Sequence, residues 1–149
     1  MAQAARDVEV PRTIKLVSRD HEVFVVPYNV LIQSKTMKNL VEGMGYENIS
    51  DPIPLENHDS RTVRKVLAWC QHHEGDRELS DWDRQLLRVD DGPRGHQEMY
   101  DLVIAAWWFE IPSLLIACCK VISEMDNFMN QLPEEILRIL ELIRRGEIV

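Results

Sequence analysis

A nearly uninterrupted apolar stretch, residues 101–122, constrains the fold of this chain more than any other feature. A helix over Leu102–Phe109 would be apolar on every face, whereas a surface helix of a globular domain has one apolar stripe and one polar face. Both sides of such a helix must therefore be covered. In a chain of 149 residues, the domain's own core can pack against one side of this helix. We expect a second protein to pack against the other side.

A charged residue and a proline divide this stretch near its middle. About twenty mostly apolar residues are needed to span a bilayer, but Glu110 and Pro112 interrupt the run, and Lys120 lies near its end. Because proline is favoured in the first turn of a helix, Pro112 predicts the start of a second helix. We interpret the stretch as two shorter helices that meet at a corner around Glu110–Pro112, and we do not expect a membrane span.

The net charge of −8 narrows the classes of partner. Nucleic-acid phosphates and anionic membrane surfaces both attract clusters of Lys and Arg, so we expect neither as a partner. The N-terminus lacks the apolar core of a signal peptide. Three cysteines, of which Cys118 and Cys119 are adjacent, do not form the framework of a secreted disulfide protein. We expect a reduced, intracellular protein of the cytoplasm, the nucleus or both.

The first half of the chain contains the predicted strands. Alternating apolar residues over Thr13–Val17 and His21–Val26, separated by a short turn, predict a β-hairpin. The proline-containing segment Asp51–Leu55 predicts an edge strand. Helical spacing and capping residues predict helices from Pro27 to about Ser34, over Thr36–Val41, from Asp59 or Ser60 to about His73, from Ser80 or Asp81 to about Val89, and over Pro133–Ile143. This order indicates an α+β fold with a helical C-terminal extension.

The same spacing predicts which helical residues face the core. The expected apolar faces are Met37, Leu40 and Val41; Val63, Val66, Leu67 and Cys70; and Trp82, Leu86 and Val89. Gly43 and Gly45 are expected to end the helix that precedes them.

No set of residues in the sequence is typical of catalysis or metal binding. Cys70 and His73 would share a helix face, but a structural zinc site needs four ligands and no second pair is present. Gly43 and Gly45 lack the third glycine of a dinucleotide-binding motif. We therefore predict no metal, no cofactor and no enzymatic activity. A small enzyme or metal protein that uses Cys70 and His73 is the least favoured alternative.

Two sets of apolar residues exceed what one core contact needs. Adjacent helix positions point roughly 100° apart, so either Trp107 or Trp108 can enter the core while the other anchors an interface, where Trp is enriched. Burial of both in the core remains open. The last predicted helix carries a stripe too wide for one contact surface, formed by Ile136, Leu137, Ile139, Leu140, Leu142 and Ile143.

Eight segments in this order resemble one family, the S-phase kinase-associated (Skp) proteins, adaptors of cullin–F-box ubiquitin ligases. The matching segments are Ile14–Leu16 with Glu22–Val25, Gln33–Lys38, Asp51–Leu55, Lys65–His73, Trp82–Asp90, Leu102–Ala106 and Pro133–Ile136. The Trp-Cys-x-His-His block and the Trp-Asp-x-x-Leu-Leu-x-Val-Asp block are specific in combination.

The resemblance implies a fold, a function and two binding sites. The fold would be a BTB/POZ-like α/β unit over residues 13–110, preceded by a disordered N-terminus (1–12) and followed by C-terminal dimerisation or F-box-binding helices (111–149). The protein would be a non-catalytic adaptor that links an F-box substrate receptor to the cullin scaffold and so promotes ubiquitination. Trp107 and Trp108 would bind the cullin. The F-box side would comprise Cys119, Ile122, Met125, Ile136, Leu140 and Leu142.

The chain departs from the family pattern at two places that bear on binding. Trp107 and Trp108 stand where the family usually has Asn-Tyr on its cullin side. The chain ends at Val149, without a counterpart of the family's final acidic helix, so we expect weaker F-box binding or a different partner. The alternative is a BTB-like self-association module, a homodimer that no longer serves a ligase.

Overall fold

A three-stranded sheet built from the first part of the chain forms one wall of the core. The sheet is seen in a computed structural model, which describes residues 12–45, 49–72, 80–90, 92–125 and 133–146. Its strands are β1 (Thr13–Ser18), β2 (Val23–Pro27) and β3 (Ile53–Leu55), in the order β2-β1-β3. Strand β1 pairs antiparallel with β2 and parallel with β3. The predicted hairpin and the predicted edge strand are both confirmed.

Alternation along β1 decides which face of the sheet is covered. Ile14 and Leu16 are buried, whereas Lys15 between them is exposed, as expected when successive side chains point to opposite faces. Leu16 lies opposite Phe24 on one side and Ile53 on the other. The inner face therefore joins all three strands in one apolar layer.

Seven helices lie within the described residues. They are α1 (Tyr28–Leu31), α2 (Lys35–Met44), α3 (Ser60–His72), α4 (Asp81–Leu87), α5 (Pro93–Phe109), α6 (Pro112–Ser123) and α7 (Glu134–Arg144). With the sheet they confirm the predicted α+β class, in which a mixed α/β unit continues into C-terminal helices.

The predicted helix from Pro27 to Ser34 is shorter in the structure. Pro27 ends β2 with extended backbone angles, and α1 stops at Leu31. Ser34 adopts an extended backbone and its hydroxyl accepts a hydrogen bond from the Met37 amide. Because Ser34 caps the next helix, it cannot also continue the previous one.

Helix α2 is longer than the sequence predicted, and its buried face is narrower. Gly43 lies inside the helix, which ends where Gly45 takes a positive φ of 85°. Met37 and Val41 are buried four residues apart, whereas Leu40 is exposed. The prediction that Leu40 shares their face and that Gly43 ends the helix was wrong, because only the Met37–Val41 row meets the core.

The predicted core face of α4 is confirmed in part, since Leu86 and Val89 are half-buried against the core, but the fully buried leucine is Leu87. The helix ends at Leu87, not near Val89, and Leu87 is fully buried while Trp82 is 39% exposed. Ser80 and Asp83 form a reciprocal capping box at its start, which holds the Asp83 side chain inward. Trp82 is therefore the member of the predicted row that lies outside the core.

The long helix α5 runs through the middle of the core. Met99, Leu102, Val103 and Phe109 on this helix are almost fully buried, and α5 packs against α3, α6 and α7. One hydrophobic core extends from Ile14 in β1 to Ile139 in α7. The division into residues 13–110 and 111–149 stays a prediction, and its boundary falls within this shared core. The predicted disordered N-terminus and His73 lie outside the described residues, apart from Arg12.

Within the described ranges, no helix combines the length and the apolar character that crossing a bilayer requires.

Candidate protein-binding surfaces

The corner between α5 and α6 lies where the sequence predicts it. Glu110 takes left-handed backbone angles (φ 56°, ψ 59°) directly after α5, and Pro112 is the first residue of α6. The Ile111 amide donates to the carbonyl of Ala106 at 3.1 Å, which closes the end of α5. Left-handed angles are costly for a residue other than glycine, so neighbouring contacts must hold this turn.

Two hydroxyls from the first turn of α2 provide these contacts. The Ser34 hydroxyl donates to the carbonyl of Phe109 at 2.5 Å. The Thr36 hydroxyl lies 2.6 Å from the carbonyl of Trp108 and 2.8 Å from the Glu110 carboxylate. The last carbonyls of a helix have no partner within it, and here α2 satisfies two of them. Neither residue was predicted to support the corner, although Ser34 is of the residue type that caps helices.

The two tryptophans are both partly exposed, so neither of the sequence interpretations describes them fully. Trp107 is 41% exposed and Trp108 is 38% exposed, whereas Phe109 is only 1% exposed. Of the three aromatic residues at this corner, Phe109 is therefore the one that packs into the core. The Trp108 ring leans on it edge to face, with centroids 4.9 Å apart. Trp108 is thus held from beneath while its outer side is open.

A buried histidine completes the support of Trp108. The His58 ring lies 5.3 Å from the Trp108 ring and 5.6 Å from that of Phe109. Burial lowers the pKa of His58, and the charge of Arg19 lowers it further against the opposing effect of Asp59. Its Nε2 atom is buried and has no hydrogen-bond partner among the described residues. A neutral imidazole therefore forms one wall behind Trp108.

The tryptophans line an open groove between α2 and the α5–α6 corner, which we call the tryptophan groove. Its volume is about 740 Å³, within the range of roughly 300–1,000 Å³ that is usual for ligand pockets. The lining residues are Ile32, Gln33, Lys35, Thr36, Lys38, Ala106, Trp107, Trp108, Glu110, Ile111, Pro112 and Leu115. The groove thus combines exposed aromatic rings with two lysines and one carboxylate.

The residues predicted for the F-box side fall into two groups in the structure. Ile122 and Ile136 are core residues, 1% and 0% exposed, so a partner can reach them only if the helices around them move. The other four are half-buried, namely Cys119, Met125, Leu140 and Leu142. The most exposed apolar residue of α7 is Leu137, at 45%, which the site prediction omitted. We call Cys119, Met125, Leu137, Leu140 and Leu142 the C-terminal surface.

Helix α6, which leads from the groove towards the C-terminal surface, is tied to α3 and α4. The buried Trp69 indole donates to the Ser113 hydroxyl at 3.1 Å. Arg84 forms an ion pair with Glu124 at the other end of α6. Trp69 was not among the predicted core residues, because the apolar row predicted on α3 runs through Val66 and Cys70.

The three cysteine thiols are protonated, which is the less reactive form. Burial raises the pKa values of Cys70 and Cys119 to about 12, and that of Cys118 is raised as well. The thiolate is the form that attacks electrophiles and binds metals. In the ranges that the structure describes, no three His, Cys, Asp or Glu residues lie together as a metal site. The three thiols are thus held in the protonated form.

Comparison with known proteins identifies close relatives over almost the full chain. A family model described as "Skp1 family, tetramerisation domain" matches residues 12–75. The chain is 30% identical over 160 residues to a Skp1-related protein of Caenorhabditis elegans, covering 95% of this chain and 85% of the relative. It is 34% identical over 146 residues to Suppressor of kinetochore protein 1 of Schizosaccharomyces pombe, covering 87% and 84%.

A third relative carries a name that describes its complex. The chain is 32% identical over 143 residues to the SCF ubiquitin ligase complex protein SKP1a of Dictyostelium discoideum, covering 87% of this chain and 83% of the relative. The similarity to all three relatives therefore includes both the sheet and the C-terminal helices.

Proposed function

The chain belongs to the Skp1 family, and on this premise we propose that it is an adaptor that links an F-box substrate receptor to the cullin scaffold of an SCF-type ubiquitin ligase. One observation carries the proposal. The chain aligns with 83% of the length of a relative named as a component of that ligase complex. Proteins of this family are adaptors and not catalysts, so the chain is not an enzyme.

The presence of two separate surfaces supports an adaptor role. The tryptophan groove is formed by α2 and the α5–α6 corner, and the C-terminal surface is formed by later residues of α6 and by α7. The two sets share no residue, as expected if each surface binds a different partner. We assign the groove, with Trp107 and Trp108, to the cullin and the C-terminal surface to the F-box receptor.

The exposed tryptophans suit the role of interface anchors. Large aromatic side chains in a supported position carry much of the binding energy of many interfaces. Trp108 rests on Phe109 and His58, so little conformational freedom remains to be lost when a partner covers it.

Substitution of these tryptophans tests the cullin assignment. We expect Trp108→Ala to weaken cullin binding by about 1–3 kcal/mol, measured by isothermal titration calorimetry with the full chain. Trp82→Ala is the matched control, because Trp82 is equally exposed at 39% but lies on α4. Unchanged affinity of Trp108→Ala, or an equal loss in Trp82→Ala, would contradict the assignment.

Co-expression tests the receptor assignment. We expect the chain and an F-box domain to elute as a one-to-one complex, with the mass measured by light scattering after size-exclusion chromatography. Leu137→Asp should disrupt the complex, since it places a charge on the C-terminal surface. Leu40→Asp is the control, because Leu40 is an exposed leucine of α2. A chain that never forms the complex would argue against the receptor assignment.

We propose self-association as a second candidate function, on the evidence of the sheet. Strand β2 is an edge strand, and its Val23 and Val25 are 51% and 59% exposed. Exposed apolar edges favour strand pairing between copies unless charges or proline protect them. In sedimentation experiments we expect the average mass of the protein to rise with its concentration. Val25→Lys should lower this mass at a given concentration. A constant monomer mass would remove this candidate.

A further inference from the structure

We propose that the tryptophan groove receives an acidic segment of its partner, which places one bulky apolar side chain against Trp107 and Trp108 and its carboxylates beside Lys35 and Lys38. The inference rests on the proposed function, since this groove is the proposed cullin side. It adds the chemistry of the segment that the groove selects.

The apolar part of the groove fits a large side chain. Trp107 and Trp108 each leave about two-fifths of their surface open. Ile32, Pro112 and Leu115 contribute further apolar lining to a groove of about 740 Å³. An aromatic or long aliphatic side chain would bury much of this exposed surface, and such burial is the main favourable term in protein association.

The charged part of the groove favours carboxylates. Lys35 and Lys38 are both exposed, and their spacing of three residues puts them on one face of α2. Within the described residues neither ammonium group forms an ion pair. Glu110 is the acidic residue of the lining, and its carboxylate lies 2.8 Å from the Thr36 hydroxyl. The lining is therefore net positive in a chain whose net charge is −8.

The fixed geometry of the corner holds the lysines and the aromatic rings together. Lys35 lies between the two hydroxyl residues that contact the carbonyls of Trp108 and Phe109. Its own amide donates to the Glu110 carbonyl at 3.4 Å. Because the same turn supplies the charges and secures the aromatic residues, the two halves of the site need little ordering on binding.

The attraction must act at short range. The chain as a whole repels an acidic partner, and surface charges are screened beyond about 8 Å at physiological salt. Binding should therefore depend on salt through these two lysines and not through the net charge of the chain.

Charge reversal tests the inference with the full chain and the cullin scaffold as the probe. We expect Lys35→Glu/Lys38→Glu to weaken binding about tenfold or more at low salt, with a smaller difference at about 0.5 M NaCl. Glu at the start of a helix is favourable, so α2 should persist, which circular dichroism verifies. Lys15→Glu is the control, because Lys15 is an exposed lysine of β1.

The outcomes separate this inference from the proposed function. If the double variant binds like the wild type while Trp108→Ala binds more weakly, the cullin assignment stands. The inference that the groove receives an acidic segment is then overturned. If the wild-type chain binds the cullin and both variants bind it with the same affinity, the groove is not the cullin site. The cullin assignment and the acidic-segment inference are then both overturned. A wild-type chain that does not bind at all overturns the function and the inference with it.

A second measurement tests the local charge without a partner. In a Trp82→Phe background the exposed indoles of the described residues are Trp107 and Trp108, since Trp69 is 3% exposed. Each ion is compared with its effect on free N-acetyltryptophanamide, because iodide is intrinsically the stronger quencher. On this relative scale we expect iodide to quench the two indoles more strongly than caesium, and the double variant to reverse this preference. Stronger quenching by caesium in the Trp82→Phe protein would overturn the inference.

Discussion

The α5–α6 corner and the last helix are both apolar in sequence, but the structure holds them in different ways. At the corner, hydroxyls of Ser34 and Thr36 reach backbone carbonyls that are 75 and 72 residues away in the chain. Helix α7 contacts the core through Ile136 and Ile139, and the ion pairs of Arg144 and Arg145 with Glu141 lie within the helix.

This difference teaches how each surface can bind. Hydrogen bonds are directional, so those of the corner fix the position of the tryptophans before a partner arrives. The contacts that the described residues show between α7 and the core are apolar, and apolar burial is non-directional, so these contacts orient α7 less tightly. We therefore expect a preformed groove at the corner and an adaptable C-terminal surface.

The largest effect on stability is expected when the aromatic residue of the corner that packs into the core is removed. Phe109→Ala should lower the free energy of unfolding by about 3–5 kcal/mol, because Phe109 is 1% exposed. Urea denaturation followed by circular dichroism measures it. Trp107→Ala is the control at a neighbouring exposed residue. An equal loss of unfolding free energy in that variant would contradict the difference in burial between Phe109 and Trp107.

The matching substitution in α7 is Ile136→Ala. We expect a loss of about 2–5 kcal/mol, because Ile136 is fully buried, whereas the exposed neighbour Leu137→Ala should change the free energy of unfolding by about 0.5 kcal/mol or less. Hydrogen exchange should show that amides of α7 lose protection in Ile136→Ala while those of α5 keep it. Uniform loss over both helices would remove the proposed difference between the regions.

A smaller effect is expected when one hydrogen bond of the corner is removed. Ser34→Ala takes away the cap of α2 and the partner of the buried Phe109 carbonyl, and should cost about 1–3 kcal/mol. Ser123→Ala is the control, because among the described residues the exposed Ser123 hydroxyl bonds within its own turn of α6, to the carbonyl of Lys120. Stability equal to that of the wild type would mean that apolar packing alone holds the corner.

The smallest effect concerns pH. Burial lowers the pKa of His58 below its ordinary value of 6.5, so the unfolded chain takes up this proton first as the pH falls. The stabilisation by neutral His58 is complete above the unfolded pKa and is lost as the pH falls through it towards the folded pKa. We expect urea unfolding at several values between about pH 7.5 and 5 to show a shallower pH dependence in His58→Phe. Equal slopes in the two proteins would contradict this role.

Local signals in the sequence predicted much of the fold. The hairpin, the edge strand with Pro54, the corner and the first-turn Pro112 were predicted from alternation, proline and charge. Of the alternative caps predicted at two helices, the structure selects Asp59 and Ser80, since each side chain accepts a hydrogen bond from the amide three residues ahead. Each of these signals depends on a few neighbouring residues.

Predictions that depended on choosing one face of a helix were less accurate. The spacing selected Leu40 and Trp82 for the core, whereas the structure exposes both and buries Leu87. Several apolar rows are available on such helices, and only the element that packs against them selects one. The same reason explains why Trp107 and Trp108 face outward and Phe109 inward.

The sequence by itself determined the class of fold, the break at Glu110–Pro112 and the excess of apolar residues that indicated partners. Only the tertiary structure decided that hydroxyls of α2 secure the end of α5, that His58 supports Trp108, and that Lys35 and Lys38 lie beside the tryptophans. Strand alternation, helix caps and proline act over a few residues and are visible in the chain. Contacts between residues more than seventy positions apart exist only after the core has brought their helices together.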